Sequence, residues 1–163
     1  MCMGKHQHAL HHEILHFITY HSYAWLACIV VLIADQITKN LILVKMTAQE
    51  SIPVVQGIFH LTYVQNTGIA FSLFQNTNTL FIVISFAIIG VLLAFLSHLK
   101  ENQRLEQVCL GLVLGGALGN LIDRVFLGFV VDFLDFRIWP VFNAADSAIT
   151  IGVLGLLILL WNK

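Results

Sequence analysis

Residues 115–147 read GGALGNLIDRVFLGFVVDFLDFRIWPVFNAADS, and the reading of this stretch decides the fold. It holds four of the chain's five Asp, at 123, 132, 135 and 146, and two of its three Arg, at 124 and 137, although only 10% of the chain is charged. Apolar segments flank it on both sides, which puts this polar cluster at a membrane boundary. A carboxylate in or near hydrocarbon costs at least ~2.5 kcal/mol on insertion scales, so acids placed there are candidates for function. Asp132 and Asp146 read as the working pair.

Composition agrees with that placement. Of 163 residues, 58% are hydrophobic, and the mean hydropathy is +0.86, far from the balance of a soluble domain. A spanning helix needs roughly 20 mostly apolar residues. Four stretches qualify: about Tyr23 to Val44, Leu80 to Leu99, Gln107 to Ile122 and Asn143 to Trp161. The expected fold is therefore membrane all-α, with four transmembrane helices and a small β element lying on the membrane surface in the first loop. A net charge of -1 offers no basic footprint for nucleic acid. Three cysteines, two of them in apolar spans, imply no disulfide framework. The first span has no small-residue cleavage pattern after it and carries Asp35 and Lys39 near its end, so it reads as a retained helix rather than a signal peptide.

Upstream of the spans, residues 1–21 form a His-rich extension, with residues 22–163 as the transmembrane domain. Six of the eight His lie in residues 1–22, where His12-Glu13-Ile14-Leu15-His16 matches the H-E-x-x-H pattern of zinc proteases. A tail so rich in His makes an accidental match easy. Leu10, Ile14, Phe17 and Ile18 fall at the spacing of a surface-lying amphipathic helix. At the end of the first span, Asp35 and Lys39 stand four apart, acid first, the favoured order for a helical ion pair. Pro53 and Gly57 break the following interval, and Ile58 to Val64 is rich in β-branched and aromatic residues, as a short surface strand requires. Gln65-Asn66-Thr67-Gly68 then reads as a turn.

The second span carries no charge and reads as scaffold. Ser97 and Lys100 match S-x-x-K, but Lys100 opens a hydrophilic connector with nothing to lower its pKa. In the third span Gly111, Gly115 and Gly119 form a ladder of small residues that lets helix backbones approach closely. Asn120 and Arg124, four apart on one face, present donors suited to a substrate backbone or a carboxylate. Asn143 with Asp146 three residues later is a helix start, and the positive helix end favours an ionised Asp146. Asp132, between Val131 and Phe133, has neighbours that favour its neutral form if it is buried. Two acids in opposed environments are what general acid–base chemistry uses.

Together these residues resemble the bacterial lipoprotein signal peptidases, the signal peptidase II family. The matching blocks are Asp35-Gln36-x-Thr38-Lys39, Asn66-x-Gly68-x-Ala70-Phe71-Ser72, Gly119-Asn120-Leu121-Ile122-Asp123-Arg124, Val131-Asp132-Phe133 and Phe142-Asn143-x-Ala145-Asp146-Ser147. The resemblance implies an aspartyl endopeptidase of the inner membrane that removes the signal peptide from diacylglyceryl-modified prolipoproteins, cutting before the lipidated cysteine. It assigns the catalytic dyad to Asp132 and Asp146. Supporting and substrate-binding roles go to Asp35, Lys39, Asn66, Gly68, Asn120, Asp123, Arg124 and Asn143. It implies a monomer working among membrane lipid with no cofactor or metal. Both termini would be cytoplasmic, with the β element in the first extracytoplasmic loop and the acids facing the periplasm. Charge alone gives no orientation, because Lys5, Lys100, Arg104 and Lys163 on one side balance Lys39, Lys45, Arg124 and Arg137 on the other. The chain departs from the family pattern at Ile69, where Ala is usual, and in a short loop from Phe133 to Phe142. Two rival readings are a zinc protease using His12, Glu13 and His16, and an ion- or proton-coupled transporter using Asp35, Asp123, Asp132 and Asp146 as a relay.

Overall fold

The computed structural model describes residues 16–68 and 77–161. It contains four long helices, α1 (Ser22–Lys45), α2 (Thr77–His98), α3 (Arg104–Phe126) and α4 (Ala144–Trp161), and three strands, β1 (Ser51–Val55), β2 (Phe59–Asn66) and β3 (Val130–Asp135). Each helix is long and apolar enough to cross a membrane, as expected. The third span is longer than its apolar run suggests, because Arg104 to Glu106 and Asp123 to Phe126 continue the helix at its two ends. The His12-Glu13 portion of the zinc motif, Ile69, and the remainder of the block from Ala70 to Ser72 lie outside the described residues.

Helix α3 is the axle of the bundle and the most buried of the four spans. Lipid offers no hydrophobic drive between helices, so close backbone approach must supply the packing. The glycine ladder does this. A Cβ on Gly111 would strike the carbonyl of Ala24, and one on Gly115 would lie 2.6 Å from the carbonyl oxygen of Cys28, both on α1. On its other side α3 presents Gly116 to α4, where a Cβ would lie 2.5 Å from the carbonyl oxygen of Ala145. Gly152 of α4 returns the contact, 2.5 Å from the carbonyl oxygen of Cys109. The stripe of α1 that faces inward is Ala24, Cys28, Asp35, Lys39 and Ile42, and its outward face is Leu26, Ile29, Val30, Ile33 and Ile37. Helix α2 leaves Val83, Phe86, Ile88 and Val91 exposed, which is the surface of a scaffold helix against lipid.

The strands form one antiparallel sheet in the order β1-β2-β3. Two features depart from the sequence reading. Pro53, which rules out a spanning helix here as expected, lies within β1, a strand the sequence reading did not place; it is tolerated because β1 is an edge strand that bulges next to it, where a missing N–H costs little. The other is β3, which comes from the third loop between spans, the one joining α3 to α4, so the β element draws on two separate loops. Its Val131 and Phe133 pack with Tyr63 against Ile42 and Met46 at the end of α1, and this small core holds the sheet on the helices.

The ladder predicts a sharp contrast between glycines. Gly115→Val should cost about 1–3 kcal/mol by overpacking, seen as a lower unfolding temperature in detergent. Gly90, whose Cβ would meet nothing within 4 Å, should accept Ala with stability unchanged or slightly raised. Equal losses at both positions would show that the ladder does not set the packing.

Candidate active site

Chain direction gathers the polar residues at one end of the bundle. The last turns of α1 bring Asp35, Gln36 and Lys39. The end of α3 brings Asn120, Asp123 and Arg124, and β3 and the start of α4 bring Asp132, Asn143 and Asp146.

The innermost group is a buried charge knot. Lys39 is 1% exposed. An ammonium has three donors and no acceptor, and here all three are used: to Asp35 Oδ2 at 2.8 Å, to Asp123 Oδ2 at 3.0 Å and to Asn120 Oδ1 at 2.9 Å. The excess carboxylate is stabilised by further donors. The backbone N–H of Ala145 donates to Asp35 Oδ1 at 2.9 Å, that of Val131 to Asp123 Oδ2 at 3.1 Å, and Gln36 Nε2 to Asp123 Oδ1 at 3.1 Å. One lysine thereby ties α1 to α3, and its two acids carry the tie onward to α4 and β3. Gln36 belongs to this knot although the sequence reading gave it no role; its place within the Asp35–Lys39 block was the available signal.

Above the knot lie Asp132 and Asp146, held by three asparagines whose orientation is set by their fixed partners. Asn66 Oδ1 accepts the backbone N–H of Gly68 at 2.9 Å, which turns its Nδ2 onto Asp132 Oδ2 at 2.9 Å. Asn143 Oδ1 accepts the N–H of Asp146 at 2.9 Å as a helix cap, so its Nδ2 donates to Asp132 Oδ1 at 2.7 Å. Asn120 Oδ1 faces the Lys39 ammonium, which leaves its Nδ2 to donate to Asp146 Oδ1 at 2.9 Å. In each case a donor that cannot be an acceptor occupies the amide oxygen and aims the amide nitrogen at a carboxylate. Asn143 Nδ2 also reaches Asn120 Oδ1 at 3.2 Å, which closes the chain between the two acids.

Sheet register supplies the Asn66 contact. Val64 pairs with Asp132, and Asn66, two residues on, shares the Val64 face and sits diagonal to Asp132. Gly68 adopts φ +79°, and a Cβ there would run into the Phe81 ring, so the turn after β2 requires glycine.

Burial, opposed by the Asn66 hydrogen bond and reinforced by the nearby Asp146 charge, raises the Asp132 carboxyl to about 6. The structure therefore gives Asp132 the environment anticipated from its apolar neighbours. Asp135, the remaining acid of the loop, is pulled below the usual carboxylate range by the Thr62 hydroxyl at 2.7 Å and then by Arg137. It clips the sheet and stays apart from the pair.

Of the two donors expected to serve a substrate backbone or a carboxylate, Asn120 donates to a carboxylate, that of Asp146, and Arg124 turns elsewhere. Its guanidinium stacks over Phe81 at 4.5 Å from the ring centroid, and its buried Nη1 has no hydrogen-bond partner among the described residues. Ser97 gives its hydroxyl to the carbonyl of Ala94, and with Lys100 and His16 it lines a cavity at the opposite end of the bundle. Among the described residues no group of three or more His, Cys, Asp or Glu is placed to hold a metal ion.

Four spans with a carboxylate-rich polar site gathered at one end define a multi-pass membrane enzyme. The family described as Signal peptidase (SPase) II matches residues 27–162. A lipoprotein signal peptidase of Halothermothrix orenii is 46% identical over 139 residues, covering 85% of this chain and 95% of its own. Another, from Pelotomaculum thermopropionicum, is 50% identical over 123 residues, covering 76% and 81%. A bacterial membrane enzyme structure obtained by the in meso method at 1.9 Å resolution superposes with a TM-score of 0.79 at 37% identity, over 84% of this chain and 91% of that one. The chain belongs to the signal peptidase II family and is a membrane protease of lipoprotein processing.

The knot predicts the cost of losing its cation. Lys39→Met leaves Asp35 and Asp123 facing each other without a counter-charge and should cost about 3–5 kcal/mol, read as a large fall in unfolding temperature. Adding Asp35→Asn to that variant should recover part of the loss, because one buried charge fewer is left unpaired. A single variant as stable as the parent would remove Lys39 from its central place.

Proposed function

We propose that the protein is an aspartic endopeptidase that cleaves diacylglyceryl-modified prolipoproteins just before the lipidated cysteine, with Asp132 and Asp146 as its catalytic dyad. The observation that carries this reading is the amide chain Asp132–Asn143–Asn120–Asp146, in which each acid receives oriented donors and one acid has its pKa raised to about 6. Such a pair holds one proton near neutrality. The ionised member takes a proton from water as the water attacks the scissile carbonyl. The protonated member donates first to the carbonyl oxygen and then to the leaving amine. Neither step needs a covalent intermediate. Asn66 and Asn143 hold Asp132 in place, and Arg124 Nη1 is the donor left free to donate to a substrate carbonyl. The catalytic unit is residues 22–163, working as a monomer in the inner membrane, with the acids on the periplasmic side and both termini in the cytoplasm.

Asp132→Asn and Asp146→Asn should each abolish release of the signal peptide from a lipidated prolipoprotein by purified enzyme. Asn keeps the shape but cannot exchange the proton. In the parent enzyme the singly protonated pair is the active form, so activity should fall on both sides of an optimum. Asp132 holds its proton below about pH 6 and loses it above, so the alkaline limb of kcat/KM, which reports the free enzyme, should lie near that value. The limb in kcat should lie higher, because bound substrate excludes more water. Normal turnover by either Asn variant would remove that residue from the mechanism. A limb that disappeared with His16→Ala would assign the titration to an imidazole instead.

Orientation is tested separately. An impermeant thiol reagent applied to intact spheroplasts should label a cysteine placed at Ser51 and spare one placed at Asn102. The reverse pattern would put the site on the cytoplasmic face.

A further inference from the structure

The loop between β3 and α4 and the first two turns of α4 enclose a groove of about 490 Å3 that the mechanism above does not use. One wall is Phe136, Ile138, Trp139 and Phe142. The other is the α4 face that begins at Asp146 and runs through Thr150 and Ile151. Its size falls within the range of small-molecule sites, about 300–1,000 Å3.

We infer that this groove seats an acyl chain of the lipid carried by the substrate's cysteine, and that Trp139 and Ile151 set which chain lengths are accepted. This rests on the function proposed above and gives it a structural specificity element.

Three observations select the occupant. Beyond Asp146 at its inner end, the groove offers no free hydroxyl donor along its α4 wall. The Ser147 hydroxyl donates to the Asn143 carbonyl at 3.0 Å, and the Thr150 hydroxyl to the Asp146 carbonyl at 2.8 Å. A peptide segment laid there would leave its C=O groups without donors, whereas a hydrocarbon chain has no group to satisfy. The α4 wall also continues outward without a break. Ile151, Leu154 and Ile158 follow at helical spacing and are all exposed on a spanning helix, so the groove opens sideways into the acyl layer of the membrane. At its inner end the groove reaches Asp146, and a chain tethered to the residue next to the cleaved bond must begin at the dyad.

The loop wall suits this task. Phe136 stacks on Phe142 at 5.9 Å and packs against Phe59 of β2 at 4.9 Å, which fixes the base of the loop on the sheet. Beyond that base Ile138, 93% exposed, and Trp139 project from the loop. An exposed indole beside a spanning helix is suited to the membrane interface, where one end of the ring is apolar and the other wet.

The test compares lipopeptides that carry dioctanoyl and dipalmitoyl glyceryl groups on the same peptide, cleaved by full-length enzyme in nanodiscs. Ile151→Trp fills the groove. It should lower kcat/KM for the dipalmitoyl substrate about tenfold through KM, the scale on which apolar pockets discriminate, while the dioctanoyl substrate changes by less than about twofold. Trp139→Ala removes the outer wall from an exposed loop without threatening the fold, and should shrink the parent's preference between the two lengths. Val91→Trp, a lipid-facing change on α2, should leave the preference as it is. If the parent cleaves both substrates and neither groove variant changes their ratio, the groove assignment falls and the proposed function stands. If the parent cleaves neither, both fall.

Discussion

Burying a lysine among helices is costly unless every donor is matched, and Lys39 is matched three times. Its bonds to Asp35, Asp123 and Asn120 span 2.8–3.0 Å in a place buried from solvent. A hydrated ammonium would have been satisfied by solvent; this one is satisfied only if α1 and α3 stand in one relative position. The two acids then hand the constraint on, Asp35 to the start of α4 and Asp123 to β3. Asn120 links the same ammonium to Asp146, so the geometry of the proposed dyad is set by a charge that need take no part in the chemistry.

The glycine ladder and the knot depend on each other. Gly119 has no side chain because Asp35 occupies that space, and a Cβ there would collide with its carboxylate. Close packing of α1 on α3 lower in the bundle brings Lys39 within reach of Asn120 and Asp123. In lipid, where apolar contact between helices gains little over contact with acyl chains, small residues and buried polar bonds must together hold what a hydrophobic core holds in water. The same logic explains why α2 is so plain: it packs on α3 through few polar groups, the Phe81 ring under the Arg124 guanidinium and the Asn78 amide on the Arg124 carbonyl, and is otherwise apolar and largely exposed.

Three amides aim at two carboxylates, and each aim is fixed from behind. Gly68, the Asp146 backbone and Lys39 supply donors that cannot be reversed, so the asparagine nitrogens have one available direction. Pre-set donors of this kind need not reorganise as charge develops during a reaction. They also oppose the rise in the Asp132 pKa that burial produces, which keeps the group near neutrality instead of far above it.

The sequence by itself determined the four spans, because the cost of placing polar backbone or charge in hydrocarbon leaves long apolar runs few alternatives. It also singled out polar residues that the fold gathers at one end, since Asp35, Lys39, Asn120, Asp123, Asp132, Asn143 and Asp146 stand out in so apolar a chain. The Asp35–Lys39 pairing follows from helical spacing alone, and the structure contains it. Tertiary structure decided what spacing could not reach. It recruited β3 from the loop between α3 and α4, gave Asn66 to Asp132 through strand register, sent the Arg124 guanidinium onto Phe81, and drew Gln36 into the knot. It also kept Pro53 in a strand, because an edge position tolerates a missing donor. Each of these depends on contacts between residues far apart in the chain. Local periodicity reports how a segment faces its surroundings, whereas partners across the fold are chosen by the packing that brings distant segments together.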